Sequence, residues 1–305
     1  MTYNQLWKRL TVIYNEREAQ AIVRTVLDAL FGMSLTDICL GKVTQLSADD
    51  TTRLEKIIQR LEKSEPVQYV LGAEWFAGRL FDVAPGVLIP RPETEDLVKW
   101  TCDEAKEKEK EDNSKEERGK EEKEVSKKGE EAPHPSILDI GTGSGCIAIT
   151  VALALPQARV TAWDISTDAL AIAAGNAHRL GAIVRFEHQD ALSAPDDEER
   201  WDVIVSNPPY ICDRERADMS DNVLSYEPAL ALFVPDNNPL LFYRAIARYA
   251  SKALKPGGRL LFETNTAYAH EVAQTMADEG FTAIEVRNDC FGKPRMVKGA
   301  FIREE

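Results

Sequence analysis

Over the first 64 residues, apolar side chains recur every three or four positions. Leu6, Leu10 and Ile13, then Ile22, Leu27, Leu30 and Phe31, fall on helical faces, so residues 3–64 are predicted to be helices. Gly32 can close the second of them. Ser47-Ala-Asp-Asp50 can open a later one, because a serine oxygen caps bare backbone N–H groups and early acids suit the positive end of the helix dipole. Leu54, Ile57, Ile58 and Leu61 would be its buried face.

Past residue 66 the pattern changes. Residues 66–90 read as an extended connector, in which Glu74-Trp-Phe76 and Leu80-Phe-Asp-Val83 flank an Ala77-Gly-Arg79 turn. Arg91-Pro92-Glu93-Thr94-Glu95 then starts a helix through Trp100, with proline in its first turn and acids at its positive end. From about Ala105 to Pro135 almost nothing is apolar. Such a segment buries too little to offset the entropy of ordering it, and the expectation is disorder or a frayed, solvated helix.

Downstream, short apolar runs alternate with helical ones. Strands are expected at 136–140, 158–163, 183–187, 202–206, 259–263, 283–287 and 295–301, with helices at 146–154, 167–180 and 239–254. That alternation predicts an α/β domain. The expected division is a helical domain at 1–72, a hairpin and connecting helix at 73–104, the charged insert at 105–135 and the α/β domain at 136–305.

Two loops in that domain carry candidate chemistry. The strand at 136–140 runs straight into Gly141-Thr142-Gly143-Ser144-Gly145 and then a helix. Glycines there permit positive φ and let a ligand press on bare backbone at a helix start. The next strand ends at Asp164, 19 residues past Gly145, where a carboxylate suits the two hydroxyls of a ribose. Strand, loop, helix, strand and acid in series point to a nucleotide-type ligand. Alone, the glycines would mark only a tight turn. The second loop, Asn207-Pro208-Pro209-Tyr210, follows the strand at 202–206. Two prolines end the hydrogen-bond ladder, so an amide and an aromatic ring arrive on stiff backbone at a strand's carboxyl end, where α/β sheets bind ligands. An Asn amide pairs with another amide or an amidine-like NH2 group, and Tyr stacks on a flat one. The pair suggests chemistry on a planar nitrogen.

Composition narrows the partners. Net charge is −14, with 51 acidic against 37 basic residues, which opposes an extended phosphate-neutralising surface. Five scattered cysteines without a C-x-x-C pair fit a reducing cytosol rather than a zinc or disulfide framework. The four histidines have no metal-ligand or triad spacing, and the glycine loop lacks the Gly-Lys-Ser/Thr ending of a P-loop. With no run of about 18 apolar residues and no leader-like start, neither membrane spanning nor export is expected.

Five segments resemble the peptide-chain release factor glutamine methyltransferases (the HemK/PrmC family): Pro66-Val-Gln-Tyr-Val-Leu-Gly72, Leu88-Ile-Pro-Arg-Pro-Glu-Thr-Glu95, Leu138-Asp-Ile-Gly-Thr-Gly-Ser-Gly145, Ser206-Asn-Pro-Pro-Tyr-Ile211 and Glu227-Pro-Ala-Leu-Ala-Leu232. The second is the narrowest signature. The glycine loop occurs in many methyltransferases, and Asn-Pro-Pro-Tyr also in those acting on adenine. The resemblance implies a Rossmann-like methyltransferase domain with a seven-stranded, mostly parallel sheet whose last hairpin brings in one antiparallel strand. It also implies a helical N-terminal domain that docks the protein substrate, S-adenosyl-L-methionine as cofactor, and a cytoplasmic enzyme acting on release factors without binding nucleic acid directly.

For the site, the resemblance assigns cofactor contacts to Gly141, Thr142, Gly143, Ser144, Gly145, Asp164, Asp190, Ala191 and Asn207, with Asp190 as acceptor for the adenine amino group. Asn207, Pro208, Pro209 and Tyr210 would hold the substrate amide. The Asn207 oxygen and Pro208 carbonyl would accept its two N–H bonds, while Tyr210 holds its plane and excludes water. The chain departs from the family after Glu263, where Thr264-Asn265 stands in place of an early glycine. Three alternatives stay open: glutamine methylation of a ribosomal protein, adenine methylation of DNA, and a silent module that only binds release factors.

Overall fold

The computed structural model describes residues 1–121 and 134–302, and the chain divides into two compact units. The first comprises residues 1–73 together with 83–85 and 218–227. Its helices are α1 (Tyr3–Leu10), α2 (Glu16–Phe31), α3 (Leu35–Cys39), α4 (Ala48–Leu61) and α5 (Val67–Leu71). Thr2, Asn15, Ser34 and Ser47 each place a side-chain oxygen on a backbone N–H of the following helix, and Gly32 ends α2 at φ 60°. Leu6, Leu10, Val23, Leu27, Leu54, Ile58 and Leu61 fill the core. The stretch read as extended from residue 66 instead winds into α5, because Val70 is drawn into this core and Gly72, at φ 76°, provides the exit.

The second unit holds the sheet. A ribbon of β1 (Ala73–Phe76) and β2 (Arg79–Asp82) leads to α6 (Thr94–Glu121). Then come β3 (Ser136–Ile140), α7 (Cys146–Ala154), β4 (Arg159–Asp164), α8 (Thr167–Leu180), β5 (Val184–His188) and β6 (Trp201–Ser206). After β6 lie β7 (Ile211–Cys212), α9 (Asp221–Tyr226, part of the first unit), α10 (Ala229–Leu232), β8 (Phe233–Val234) and α11 (Leu241–Ala253). The chain closes with β9 (Leu254–Glu263), α12 (Ala269–Asp278), β10 (Phe281–Asn288) and β11 (Pro294–Phe301).

Seven strands pair in the order β10-β11-β9-β6-β3-β4-β5. β11 runs antiparallel to both neighbours, and the other pairs are parallel. This is the expected sheet, with its single reversed strand. β3 and β6, at the centre, are buried along their whole length, as covering helices on both faces require. Their carboxyl ends are tied together where Ser206 donates its hydroxyl to the Ile140 carbonyl at 2.7 Å.

Residues 105–112, expected within the charged insert as disorder or a frayed, solvated helix, are helical and continue α6, but the helix is partly buried rather than solvated throughout. Ala105 packs in the core, and the buried Glu104 and Lys108 are satisfied in place. Glu104 pairs with Arg259 of β9 at 3.3 Å and with Lys298 of β11 at 2.6 Å, while Lys108 pairs with Asp112. Charged side chains can be buried when long aliphatic stems pack and their heads find partners, which composition alone does not reveal. Residues 122–133 of the expected insert lie outside the described residues.

Candidate active site

A cavity of about 300 Å³ opens at the carboxyl ends of β3, β4 and β6. Its floor is the glycine loop. Gly141 and Gly143 stand at φ 79° and 55°, and a Cβ on either would meet nothing within 4 Å. They therefore present bare backbone to open space, a cradle that any side chain would occupy. The loop is braced by N–H bonds from Gly141 and Thr142 to the Trp163 carbonyl. Asp164, at the end of β4, takes the Gly143 N–H on one oxygen at 2.8 Å and the Ser166 N–H on the other at 2.9 Å.

Behind the loop, Asp139 is wholly buried. One of its oxygens accepts from the Thr142 hydroxyl at 2.6 Å and from the Ala148 N–H at 3.2 Å. The other has no partner among the described residues. Burial pushes this carboxyl up to about 7, against the lowering pull of its two hydrogen bonds.

One wall is Gln189, Asp190, Ala191 and Leu192. Asp190 caps the turn there by accepting the Leu192 N–H at 2.8 Å. Ile165, Pro228, Leu230, Ala231 and Phe242 add apolar surface.

Asn207, Pro208 and Pro209 form the opposite wall. The Asn207 amide nitrogen stands 3.5 Å from the Thr94 hydroxyl oxygen, and that hydroxyl donates to Glu263 at 2.7 Å. Tyr210 donates to the second Glu263 oxygen at 3.3 Å, with the Arg295 guanidinium 3.5 Å from the Tyr210 hydroxyl. Burial pushes Glu263 up to about 7, and raises Tyr210 well above a free phenol. The cavity thus brings bare glycine backbone together with a carboxamide whose backing is a buried, hydrogen-bonded acid.

Comparison with known proteins places the chain in a family. The model described as "PrmC N-terminal domain" matches residues 4–72, and "Methyltransferase small domain" matches residues 127–226. A release factor glutamine methyltransferase of Bacteroides thetaiotaomicron is 44% identical, covering 93% of this chain and 94% of that one. One from Flavobacterium psychrophilum is 37% identical over 97% of each chain. A third, from Chlorobaculum tepidum, is 36% identical over 89% of this chain and 87% of its own. The chain belongs to the release factor glutamine methyltransferase family.

In this family member the expected site residues divide into those at the cavity and those behind it. Gly141, Gly143, Asp164, Asp190, Ala191, Asn207, Pro208 and Pro209 line the cavity. Thr142, Ser144 and Gly145 do not. Thr142 serves Asp139, and the Ser144 carbonyl accepts from Asn176 at 3.0 Å. A Cβ on Gly145 would lie 2.7 Å from Ile149 and 3.1 Å from Ala173, so this glycine lets α7 approach α8. Tyr210 sits behind the wall, in contact with Glu263. Sequence reasoning did not single out Thr94, Asp139, Glu263 or Arg295 as members of the site. Glu263 could have been found by analogy with Asp164, as an acid ending a sheet strand beside the one that carries Asn207.

Proposed function

We propose that this methyltransferase modifies the side-chain amide nitrogen of a glutamine in a peptide-chain release factor, the one in its Gly-Gly-Gln motif, with S-adenosyl-L-methionine as methyl donor. The observation that carries this reading is the Asn207 carboxamide on the cavity wall, opposite a glycine cradle and an acid at the next strand end. When bound, the cofactor supplies an electrophilic methyl group on a sulfonium. Gly141 and Gly143 would leave room for it, Asp164 and Asp190 would accept from its hydroxyl and amino groups, and Ile165, Leu192 and Phe242 would cover its apolar parts. Each Asp164 oxygen takes one N–H bond and retains a lone pair for a ligand.

The substrate nitrogen is a poor nucleophile, because its lone pair is shared with its carbonyl. Asn207 and the Pro208 carbonyl would accept its two hydrogens, fix its orientation and favour electron density on nitrogen. Positioning of this kind supplies roughly 7–11 kcal/mol in favourable cases, so no strongly basic side chain is needed. The helical unit is read as the docking surface for the protein substrate, and the exposed Val12, Leu35 and Leu40 support that role. Such a substrate belongs in the cytoplasm.

DNA adenine as substrate is disfavoured because a net charge of −14 opposes the basic surface that a flipped-base duplex needs. A glutamine in a ribosomal protein would use the same groups. The experiment is to offer labelled cofactor with release factor, ribosomal protein and DNA in parallel. Label in release factor alone supports the proposal; label only in either of the others overturns it.

A further inference from the structure

We infer that Thr94 and Glu263 form a polarity relay that holds the Asn207 carboxamide with its oxygen toward the cavity, so that it can only accept hydrogen bonds there. The inference rests on the reading of Asn207 as the group that binds the substrate amide. Thr94, in the first turn of α6, and Glu263, at the end of β9, are 169 positions apart and both buried. Their contact is direct, with Thr94 Oγ1 donating to Glu263 Oε2 at 2.7 Å. An ionised carboxylate has no hydrogen to give, so the single hydrogen of Thr94 is committed to it. Only lone pairs of the Thr94 oxygen then remain for Asn207, whose Nδ2 stands 3.5 Å away. The flipped amide would set its carbonyl oxygen against those lone pairs with no hydrogen between. At 3.5 Å the contact is long and contributes orientation more than strength. Thr94 and Glu263 are therefore positioning residues. The same carboxyl accepts from Tyr210 on its other oxygen, so it also orients the ring beside the motif.

The relay reverses on protonation. A protonated Glu263 can donate to Thr94, which frees the Thr94 hydrogen to face Asn207 and permits the flipped amide. The groups around Glu263 set where this occurs: Glu93 beside Thr94 at the start of α6, Cys146 on α7, Tyr210 after β6, Tyr243 on α11 and Arg295 on β11. Arg295 and the hydrogen bonds favour the ionised acid; burial and Glu93 oppose it, and the carboxyl settles at about 7. The acceptor polarity is present above that pH and is lost below it.

Thr94→Val removes the relay while keeping the side chain's shape, and Thr94→Ser restores a hydroxyl. Thr94→Val should lower kcat at least tenfold, with KM for release factor within threefold and affinity for S-adenosylhomocysteine within twofold. Wild-type kcat should show an acid limb near pH 7, and Thr94→Val should lose it. Thr94→Ser should return to within threefold of wild type. Wild-type turnover in Thr94→Val, or no rescue by Thr94→Ser, overturns the relay. A second measurement is independent of turnover. In protein labelled with 15N-asparagine, the Asn207 side-chain signal, identified by its loss in Asn207→Ala, should titrate near pH 7 in wild type and not in Thr94→Val. An unchanged titration in Thr94→Val overturns the relay. If wild type methylates no glutamine, the functional reading fails, while the Asn207 signal still decides the relay.

Discussion

The two sides of the cavity are built by opposite means. On the side of β3 and β4 the surface is backbone: two glycines at positive φ, with Asp164 held by the N–H groups of Gly143 and Ser166. On the side of β6 it is side chain: Asn207, backed by Thr94, Tyr210, Glu263 and Arg295 from four separate parts of the chain. The first suits a ligand recognised by shape, sugar hydroxyls and an aromatic ring. The second suits one flat polar group whose hydrogens must point in set directions. Each side also hides a carboxyl pushed up to about 7, Asp139 behind the glycines and Glu263 behind the amide. Their surroundings differ: one Asp139 oxygen lacks any partner among the described residues, whereas both Glu263 oxygens are engaged.

The sharpest way to break the comparison is Asn207→Ala. Turnover should fall at least 100-fold, about 2.7 kcal/mol of lost transition-state stabilisation, while affinity for S-adenosylhomocysteine changes far less. Equal losses of both, by steady-state kinetics and calorimetry, would mean that the two sides are not separable.

Asp164→Ala should do the reverse. Removing a charge-assisted acceptor costs about 1.5–3 kcal/mol of cofactor affinity, again read by calorimetry. Unchanged affinity would move the ribose hydroxyls to another group.

A smaller effect separates the buried acids from the cavity surface. A carboxyl raised from its ordinary 4.5 to about 7 binds more protons folded than unfolded across that interval. Stability is therefore greatest below pH 4.5, as far as this group is concerned, and declines as pH rises to 7. Glu263→Gln should remove this group's share of the slope, leaving that of Asp139, and raise stability at pH 8 by about 1–3 kcal/mol in urea titrations. A slope unaltered by Glu263→Gln would assign it to Asp139, which carries the same sign.

Tyr210→Phe is the mildest change. If the ring rather than the hydroxyl guards the amide, turnover should stay within threefold, about 0.6 kcal/mol. A tenfold loss would show that the hydroxyl's bond to Glu263 matters to the reaction.

The same contrast explains what could be read in advance. The glycine side is local: loop, helix and Asp164 follow one another within 24 positions, each with a backbone reason, and strand 136–140 with helices 146–154 and 167–180 stands where the apolar pattern sets it. The amide side is not local. Asn207-Pro-Pro-Tyr210 is visible as a strand ending, but its backing comes from 113 and 53 positions away, and no periodicity links Thr94 or Glu263 to it. Gly145 shows the converse: it reads as a ligand glycine, yet only tertiary packing reveals that it serves the contact with Ala173. The apolar pattern likewise did not reveal how residues 105–112 pack: Arg259 and Lys298 arrive from distant strands to pair with Glu104 just before them, and Arg259 also reaches Glu111.

The most direct test of the central claim is to map the methyl group. Wild-type enzyme should be incubated with labelled S-adenosyl-L-methionine and a release factor, and the digested product sequenced by mass spectrometry. The account predicts one methyl on the side-chain nitrogen of the Gly-Gly-Gln glutamine, absent with Asn207→Ala. Unmodified release factor alongside methylated adenine in DNA, or a methyl on another residue type, would contradict it.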